Sequence, residues 1–514
     1  MESKKQTQEK QRFFIPITSQ SGGKFFDTSD IPEIIKKIAQ EIKNHQGRAL
    51  LIGGAVRDKV MNLTPKDYDL EIYGLYPNEL RNILKQFGGI NEVGIQFGII
   101  KLEAQGLDID VAIPRRDSKI GKGHRDFLIE GDPFMSFEEA AKRRDLTMNS
   151  MALDVLTGEL IDPFNGLEDI KNKIIRVTDR EKFKEDPLRV LRVMQFASRF
   201  QFQVAPETIE VCKEVVEDLK ELPSSRITEE WKKLLIKGEK PSLGMRVGKE
   251  IGVFKVLHPE IQALIGLPQD EKWHKEGDVF EHTLKVLDEA NLISKKNKLS
   301  ETKKLILMLG ALCHDFGKAL TTEEVNGQII SHQHDVLGEK VARDFLKRLE
   351  FGEEINEKVI KLVRYHMNPA FLWENNKKNI NSENTLKRLA EKVKPATMEE
   401  LIKLYEADQR GREITEEKKE EITKSVSWLY QETNKFKIRV NKPEPLIKGK
   451  HLIKYLHYQP GPIFGKILKE VYEAQLDGEI KTKYQALERA KTIKRVLSYQ
   501  NSWEEALINK NNEN

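Results

Sequence analysis

The sequence predicts an α+β chain: a mixed sheet with flanking helices in the N-terminal third, then helices alone to the end. Three observations carry this. Short apolar runs bounded by turn residues recur between positions 49 and 155. One run, Leu107-Asp108-Ile109-Asp110-Val111-Ala112-Ile113, alternates strictly, as a half-buried strand does. Beyond residue 185 apolar residues return at helical spacing, as in Leu337, Val341, Phe345 and Leu349.

Residues 1–30 are polar and rich in lysine and glutamine, and read as a flexible tail. Ile31, Ile34, Ile35, Ile38 and Ile42 form a helical stripe. Ala49 to Asp58 then reads as strand, glycine turn and short helix. Gly53 and Gly54 let the backbone approach a ligand and aim amide hydrogens at phosphate oxygens. The helix opening at Ala55 adds its dipole, and Arg57 adds a fixed cation. Asp67 and Asp69 lie two apart on an extended segment, so both carboxylates face one way and Tyr68 the other. A phosphate cradle followed by same-face carboxylates suits a magnesium-bound nucleoside triphosphate. Residues 79–87 read as a helix, and Val93 to Leu102 as a strand pair turning near Gly98. On the alternating strand, Asp108 and Asp110 share the polar face, and either could complete a two-metal site.

Residues 117–135, with Lys119, Lys122, His124 and Arg125, read as a mobile basic loop. Arg143 and Arg144 precede an apolar strand, Met151 to Val155, and suit a triphosphate clamp. Asp186 before Pro187 marks a helix start. Arg189 and Arg192 share one face of that helix, opposite Leu188, Leu191 and Phe196. Residues 205–237 continue as helices. A second constellation begins near Trp273 and comprises His282, His314-Asp315, His334-Asp335, His366 and Asp408 in helical sequence. These are imidazole and carboxylate donors suited to a divalent transition metal. Residues 412–438 read as a charged helical connector, and 443–500 as lysine- and glutamate-rich helices.

Composition bounds the setting. The chain has 514 residues, 39% hydrophobic and 33% charged, with net charge +4. A nucleic-acid surface must therefore be a local basic patch. No apolar run is long enough to span a bilayer. Two cysteines, Cys212 and Cys313, fit a reducing cytoplasm better than a disulfide framework.

At this point the sequence resembles the class II tRNA nucleotidyltransferase and bacterial poly(A) polymerase family, over most of its length. Gly53-Gly54-Ala55-Val56-Arg57-Asp58 with Asp67-Tyr68-Asp69 looks like the family's first motif. The resemblance implies metal-binding carboxylates at Asp67 and Asp69, and favours Asp110 for the third. Arg143-Arg144-Asp145-Leu146-Thr147-Met148-Asn149 resembles the second motif, implying nucleotide contacts from Arg144, Asp145 and Asn149. Glu185-Asp186-Pro187-Leu188-Arg189-Val190-Leu191-Arg192 resembles the base-selecting motif, in which an Asp and an Arg act as a protein template for CTP and ATP. Those residues would be Asp186 and Arg189, with Arg192 beside them. The arginine-phenylalanine common after this motif is Gln195-Phe196 here. Arg226-Ile227-Thr228-Glu229-Glu230 resembles the neck motif that follows. His282, His314, Asp315 and Asp408 look like the metal ligands of an HD-type phosphohydrolase domain, with His334 and His366 as further candidates.

The resemblance implies five segments: a tail (1–30), a nucleotidyltransferase head (31–178), a helical neck (179–240), a helical body with the HD domain (241–412) and a helical tail contacting tRNA (413–514). The expected activity is template-independent addition of CCA to tRNA 3′ ends from CTP and ATP, with Mg2+ at the polymerase site. A metal-dependent phosphohydrolase activity at the HD site is expected beside it. Poly(A), A-adding and CC-adding enzymes share the motifs and are the alternatives within the class. An HD phosphodiesterase or phosphatase as the main activity is the alternative outside it.

Overall fold

The computed structural model describes residues 17–18, 24–91, 99–119, 127–270, 274–380, 383–413, 415–435, 444–461, 463–476 and 479–494. Expectations for Val93 to Gly98, Lys122, His124, Arg125 and Trp273 fall outside them. The chain forms two compact units, Met1–Gln262 and Ala263–Asn514.

The first unit opens with α1 (Glu33–Asn44), which buries Ile34, Ile35, Ile38 and Ile42 as the stripe predicts. Packed structure starts earlier than expected. Ile17–Thr18 pairs with Lys24–Phe25, and Phe26 is buried. Next come β1 (Arg48–Ile52), α2 (Gly54–Val60), β2 (Tyr68–Tyr73), β3 (Gly89–Asn91), β4 (Ile99–Ala104), β5 (Leu107–Ala112), β6 (Ala152–Asp154) and β7 (Leu160–Ile161). They make one seven-stranded mixed sheet in the order β7-β6-β1-β2-β5-β4-β3. β2 and β5 are the parallel pair, with Asp69 opposite Asp110, and β1 runs antiparallel to β2 with Ile52 opposite Asp69. Alternation on β2 sends Leu70 and Ile72 into the core and leaves Asp69, Glu71 and Tyr73 on the other face.

The basic stretch 117–135 is not simply a loop. Arg115–Lys119 pairs antiparallel with Phe127–Gly131, because Phe127-Leu128-Ile129 has strand-forming side chains that the surrounding charge concealed. Helices α3 (Leu188–Phe200) and α4 (Ser224–Lys237) follow, as expected. The helix Pro241–Ile251, expected with the second body, packs in the first unit against α3.

The second unit is built on α5 (Val279–Lys296), α6 (Glu301–Cys313), α7 (His334–Arg348), α8 (Glu353–Tyr365) and α9 (Met398–Gly411), with α5 packed along α9. It is not wholly helical. Thr322–Val325 and Gln328–Ser331 form a β-hairpin closed by Asn326-Gly327, both at positive φ. That dipeptide is the favoured two-residue hairpin turn and was readable in the sequence. Gly317 sets the position of α7: a Cβ there would lie 1.9 Å from the His334 carbonyl oxygen. Its absence lets the start of α7 lie against the end of α6. Residues 444–494 carry a small core of their own around Ile447, Leu452, Ile467 and Val471. Among the described residues no helix is long and apolar enough to cross a membrane.

Two candidate active sites

The first site lies at the C-terminal end of β1, in a cavity of about 610 Å³ within the first unit. Gly53 turns there at φ 66°, and a Cβ on it would lie 3.3 Å from Arg144 Nη1 and 3.7 Å from Asp69 Oδ2. Asp69 and Asp110, opposite one another on β2 and β5, both line the cavity. Burial, and then the Asp110 charge, raise the Asp69 carboxyl above its ordinary range. A carboxylate held back from ionising by burial and a neighbouring negative charge is a fitting place for a divalent cation. Lys101 Nζ lies 2.9 Å from Asp110 Oδ1. Asp67 precedes β2, is exposed and is not among the cavity's lining residues.

The basic wall is tied together by its own carboxylates. Arg57 donates to Asp58 Oδ1 at 2.6 and 2.8 Å and to Asn149 Oδ1 at 2.7 Å. Asn149 Nδ2 donates to Asp145 Oδ1 at 3.0 Å, and Arg192 Nε donates to Asp145 Oδ2 at 2.7 Å. Burial alone would raise the Asp145 carboxyl, but Arg192 and Asn149 hold it down at about 2. Arg57 is thus a buried strut in the wall more than an open phosphate contact. Glu71, which sequence reasoning missed, is 0% exposed. It lies 3.2 Å from Arg143 Nη2 and 3.7 Å from Arg144 Nη2. Its signal was present, since Asp67, Asp69 and Glu71 continue one alternation.

α3 starts at Leu188 with Pro187 as its cap residue, so Asp186 stands one residue ahead of the expected cap position, where its Oδ1 accepts from the Leu188 amide at 3.2 Å. Its Oδ2 accepts from Arg226 Nη2 at 2.9 Å, a partner not foreseen. Arg189 donates to the carbonyls of Lys182 and Arg143, each at 2.5 Å. Asp186, Arg189, Arg192 and Gly54 all line the cavity, so the nucleotide-binding candidates converge.

The second site lies in the second unit, where helix ends meet. His282 comes from α5, His314 and Asp315 follow α6, His334 opens α7, His366 follows α8 and Asp408 sits in α9. His282 Nε2 is 3.1 Å from Asp408 Oδ1, and His314 Nε2 is 3.1 Å from Asp315 Oδ2. His334 Nε2 is 3.5 Å from Asp315 Oδ1 and 3.2 Å from His366 Nε2. Asp315 therefore stands between two donor sets. One holds His282, His314 and Asp408, and the other holds His334 and His366. Asp335 does not join, because its carboxylate accepts from Arg364. His314 Nε2 is buried and has no hydrogen bond among the described residues. A buried imidazole nitrogen aimed at a carboxylate fits a metal-ligand set.

Outer groups orient these donors. Glu276 Oε1 lies 2.8 Å from both His274 Nδ1 and His282 Nδ1. Those bonds hold its carboxyl well below the usual range despite burial. A carboxylate behind a ligating imidazole fixes its tautomer. Lys318 Nζ donates to Gln269 Oε1 and lies 2.8 Å from Asp315 Oδ2. Glu276 lies in the turn just ahead of α5, two residues from His274 and six from His282, and sequence reasoning missed it. A cavity of about 370 Å³ opens over Asp315, Lys318, His334, His366 and Asp408.

Comparison with known proteins agrees with this layout. Residues 49–176 match the model for the poly A polymerase head domain. Residues 201–265 match that described as "Probable RNA and SrmB- binding site of polymerase A", and 279–455 match the HD domain. The Multifunctional CCA protein of Actinobacillus pleuropneumoniae serotype 5b (strain L20) is 34% identical over 391 residues, covering 74% of this chain and 90% of that protein. That of Mannheimia succiniciproducens is 35% identical over 374 residues, covering 70% and 84%. Among solved structures, the Bacillus stearothermophilus CCA-adding enzyme in complex with CTP aligns with TM-score 0.61 at 20% identity, over 90% of this chain and all of that one. The Thermotoga maritima CCA-adding enzyme complexed with tRNA aligns with TM-score 0.56 at 18% identity, over 90% and 96%. At these identities the structural matches establish the fold. Polymerase head and HD domain together imply dependence on divalent metal.

Proposed function

We propose that this chain, which belongs to the class II tRNA nucleotidyltransferase and bacterial poly(A) polymerase family with an HD domain, adds C, C and A to the 3′ end of tRNA from CTP and ATP. The observation that carries the catalytic assignment is the register of Asp69 against Asp110 beside the Gly53 turn. In the reaction the tRNA 3′-oxygen bonds the α-phosphorus, the bond from that phosphorus to the β-phosphate oxygen breaks, and pyrophosphate leaves. Asp69 and Asp110, with Asp67 from the strand's approach, would hold Mg2+. Bound there, the metal would lower the pKa of the 3′-hydroxyl and offset charge on the leaving pyrophosphate. The Gly53-Gly54 turn and Arg144 face the triphosphate. Arg57, Asp145, Asn149 and Arg192 hold the wall in which Asp186 and Arg189 meet the base.

The second donor set supports a metal-dependent phosphohydrolase in the same chain. His282, His314, Asp315 and Asp408 would hold one divalent transition metal, and Asp315, His334 and His366 would hold a second. Such metals would supply an activated water and polarise a phosphoryl oxygen. For tRNA contact the C-terminal helices offer cations over rings: Lys483 Nζ lies 4.4 Å from the Tyr455 ring centroid and Lys494 Nζ 3.6 Å from that of Tyr458. The setting that suits these substrates is the cytoplasm.

A primer-extension assay tests the polymerase reading. Transcripts ending before CCA, after C and after CC are each given CTP, ATP or both, with magnesium. Addition of CC from CTP, then one A from ATP, is expected. Addition of A to the CC-ended transcript alone, or long A tails on any RNA, would replace the reading with an A-adding enzyme or a poly(A) polymerase.

A further inference from the structure

A further cavity, of about 540 Å³, adjoins the HD donors and has no part in the chemistry above. It lies within the second unit and shares Ser331, His332, His334 and Met367 with the cavity over Asp315. The two therefore meet at His334, whose Nε2 faces that of His366 at 3.2 Å. A phosphate seated on the donors has room for one of its ester substituents next door. The space is that of a site for a ligand of nucleotide size.

The walls say what that substituent is. Phe371, on the helix Asn368–Lys377, lines the cavity and is 62% exposed, so its ring stands open. One exposed phenylalanine needs no explanation, but the company of this one does. Arg388 and Lys392 lie four apart on the helix Glu383–Lys392, are both exposed, and line the same cavity. Among the described residues Asp335 is the only carboxylate of the lining, and Arg364 already engages it. The cavity is thus basic, with an open ring beside paired cations. A phosphate by itself would use the cations and leave the ring idle. A strand of nucleic acid uses both, stacking a base on the ring and laying its backbone along the cations.

We propose that this cavity is a subsite for the flanking nucleotide of a single-stranded nucleic acid whose phosphodiester the HD donors hydrolyse, with Phe371 under its base and Arg388 and Lys392 on its backbone. The proposal rests on the phosphohydrolase reading above. In the step a water oxygen bonds the phosphorus, the bond from phosphorus to one sugar oxygen breaks, and that oxygen leaves as an alcohol with a proton from the water. Two measurements on the full chain test the subsite. Photo-cross-linking with 5-iodouracil trinucleotides, in RNA and in DNA form and without metal, should attach a strand to the helix Asn368–Lys377, and the higher yield names the strand. With Mn2+ added, kcat/KM for the unmodified trinucleotide is divided by that for methyl p-nitrophenyl phosphate, a diester with no flanking nucleotide. Phe371→Ala should lower this ratio about tenfold, the worth of one stacked base. Phe371→Tyr, which keeps a ring, should restore it. The double variant Arg388→Gln, Lys392→Gln should lower it as well and flatten its dependence on salt. Phe371 is exposed, so its replacement leaves the core intact. An unchanged ratio in both Phe371→Ala and the double variant would overturn the proposal, as would the absence of any adduct on that helix. A wild-type chain that forms the adduct but hydrolyses neither diester would instead defeat the phosphohydrolase reading and leave the strand-binding subsite standing.

Discussion

The two sites are assembled in opposite ways. At the sheet site the acidic donors sit on neighbouring strands, and most basic side chains are already bound by carboxylates: Arg57 by Asp58, Arg192 by Asp145, Arg143 by Glu71. At the helical site six donors arrive from five helices, and His282 and Asp408 are 126 residues apart. A sheet brings carboxylates together by register, which local alternation already encodes. A helical bundle brings them together by packing, which it does not. The first site should therefore tolerate loss of single wall residues gradually, while the second should depend on each helix end being in place.

The sharpest test of their separateness is a pair of exchanges. Asp69→Ala should cut nucleotide addition about a thousandfold, as expected for removing a group that stabilises transition-state charge. Hydrolysis at the HD site should persist, measured on a chromogenic phosphodiester with added transition metal. Asp315→Asn should do the reverse. Loss of both activities in either variant would break the comparison. A smaller effect is expected behind the ligands. Glu276→Gln leaves His282 in place but loosens its orientation, and should weaken metal affinity at that site by about 10- to 100-fold in a competition titration. At the sheet site Asp186→Asn should alter the ratio of CTP to ATP incorporation while leaving total turnover less affected, because the Arg226 bridge is weakened and the bond from the Leu188 amide retained.

The smallest effect concerns pH. The Asp145 carboxyl is held at about 2 in the folded chain against an ordinary 3.8. A depressed carboxyl contributes stability above pH 3.8 and loses it as pH falls towards 2. The contribution is about 2 kcal/mol. Asp145→Asn should be less stable at neutral pH and show a flatter fall between pH 4 and 2, followed by acid unfolding. An equally steep fall in the variant would show that other carboxylates govern that window.

How far the sequence reached depends on the range of the signal. Gly53, Asp69 and the Asp108/Asp110 face stand out because period-two alternation and a glycine turn are local properties, while the choice of Asp110 came from the family resemblance. Glu71 belonged to the same alternation and was passed over as a strand residue, although burial makes it the partner of two arginines. The Asn326-Gly327 hairpin was equally local and hidden by the helical context. Arg226 beneath Asp186 had no such signal, since that pair meets across 40 residues by the packing of helices, whereas Glu276 lies in the turn only six residues before His282.

By itself, the sequence determined the α+β order and the family, and it named the strand carboxylates and the histidine and aspartate donors as candidates. These follow from residue type and short-range spacing. The tertiary structure alone decided that His334 and His366 share Asp315 while Asp335 turns to Arg364. It also decided that Arg57 is a strut and that Gln195 keeps a buried donor with no partner among the described residues. Whether a polar atom is satisfied depends on what other segments bring within about 3 Å of it, and no spacing along the chain records that distance.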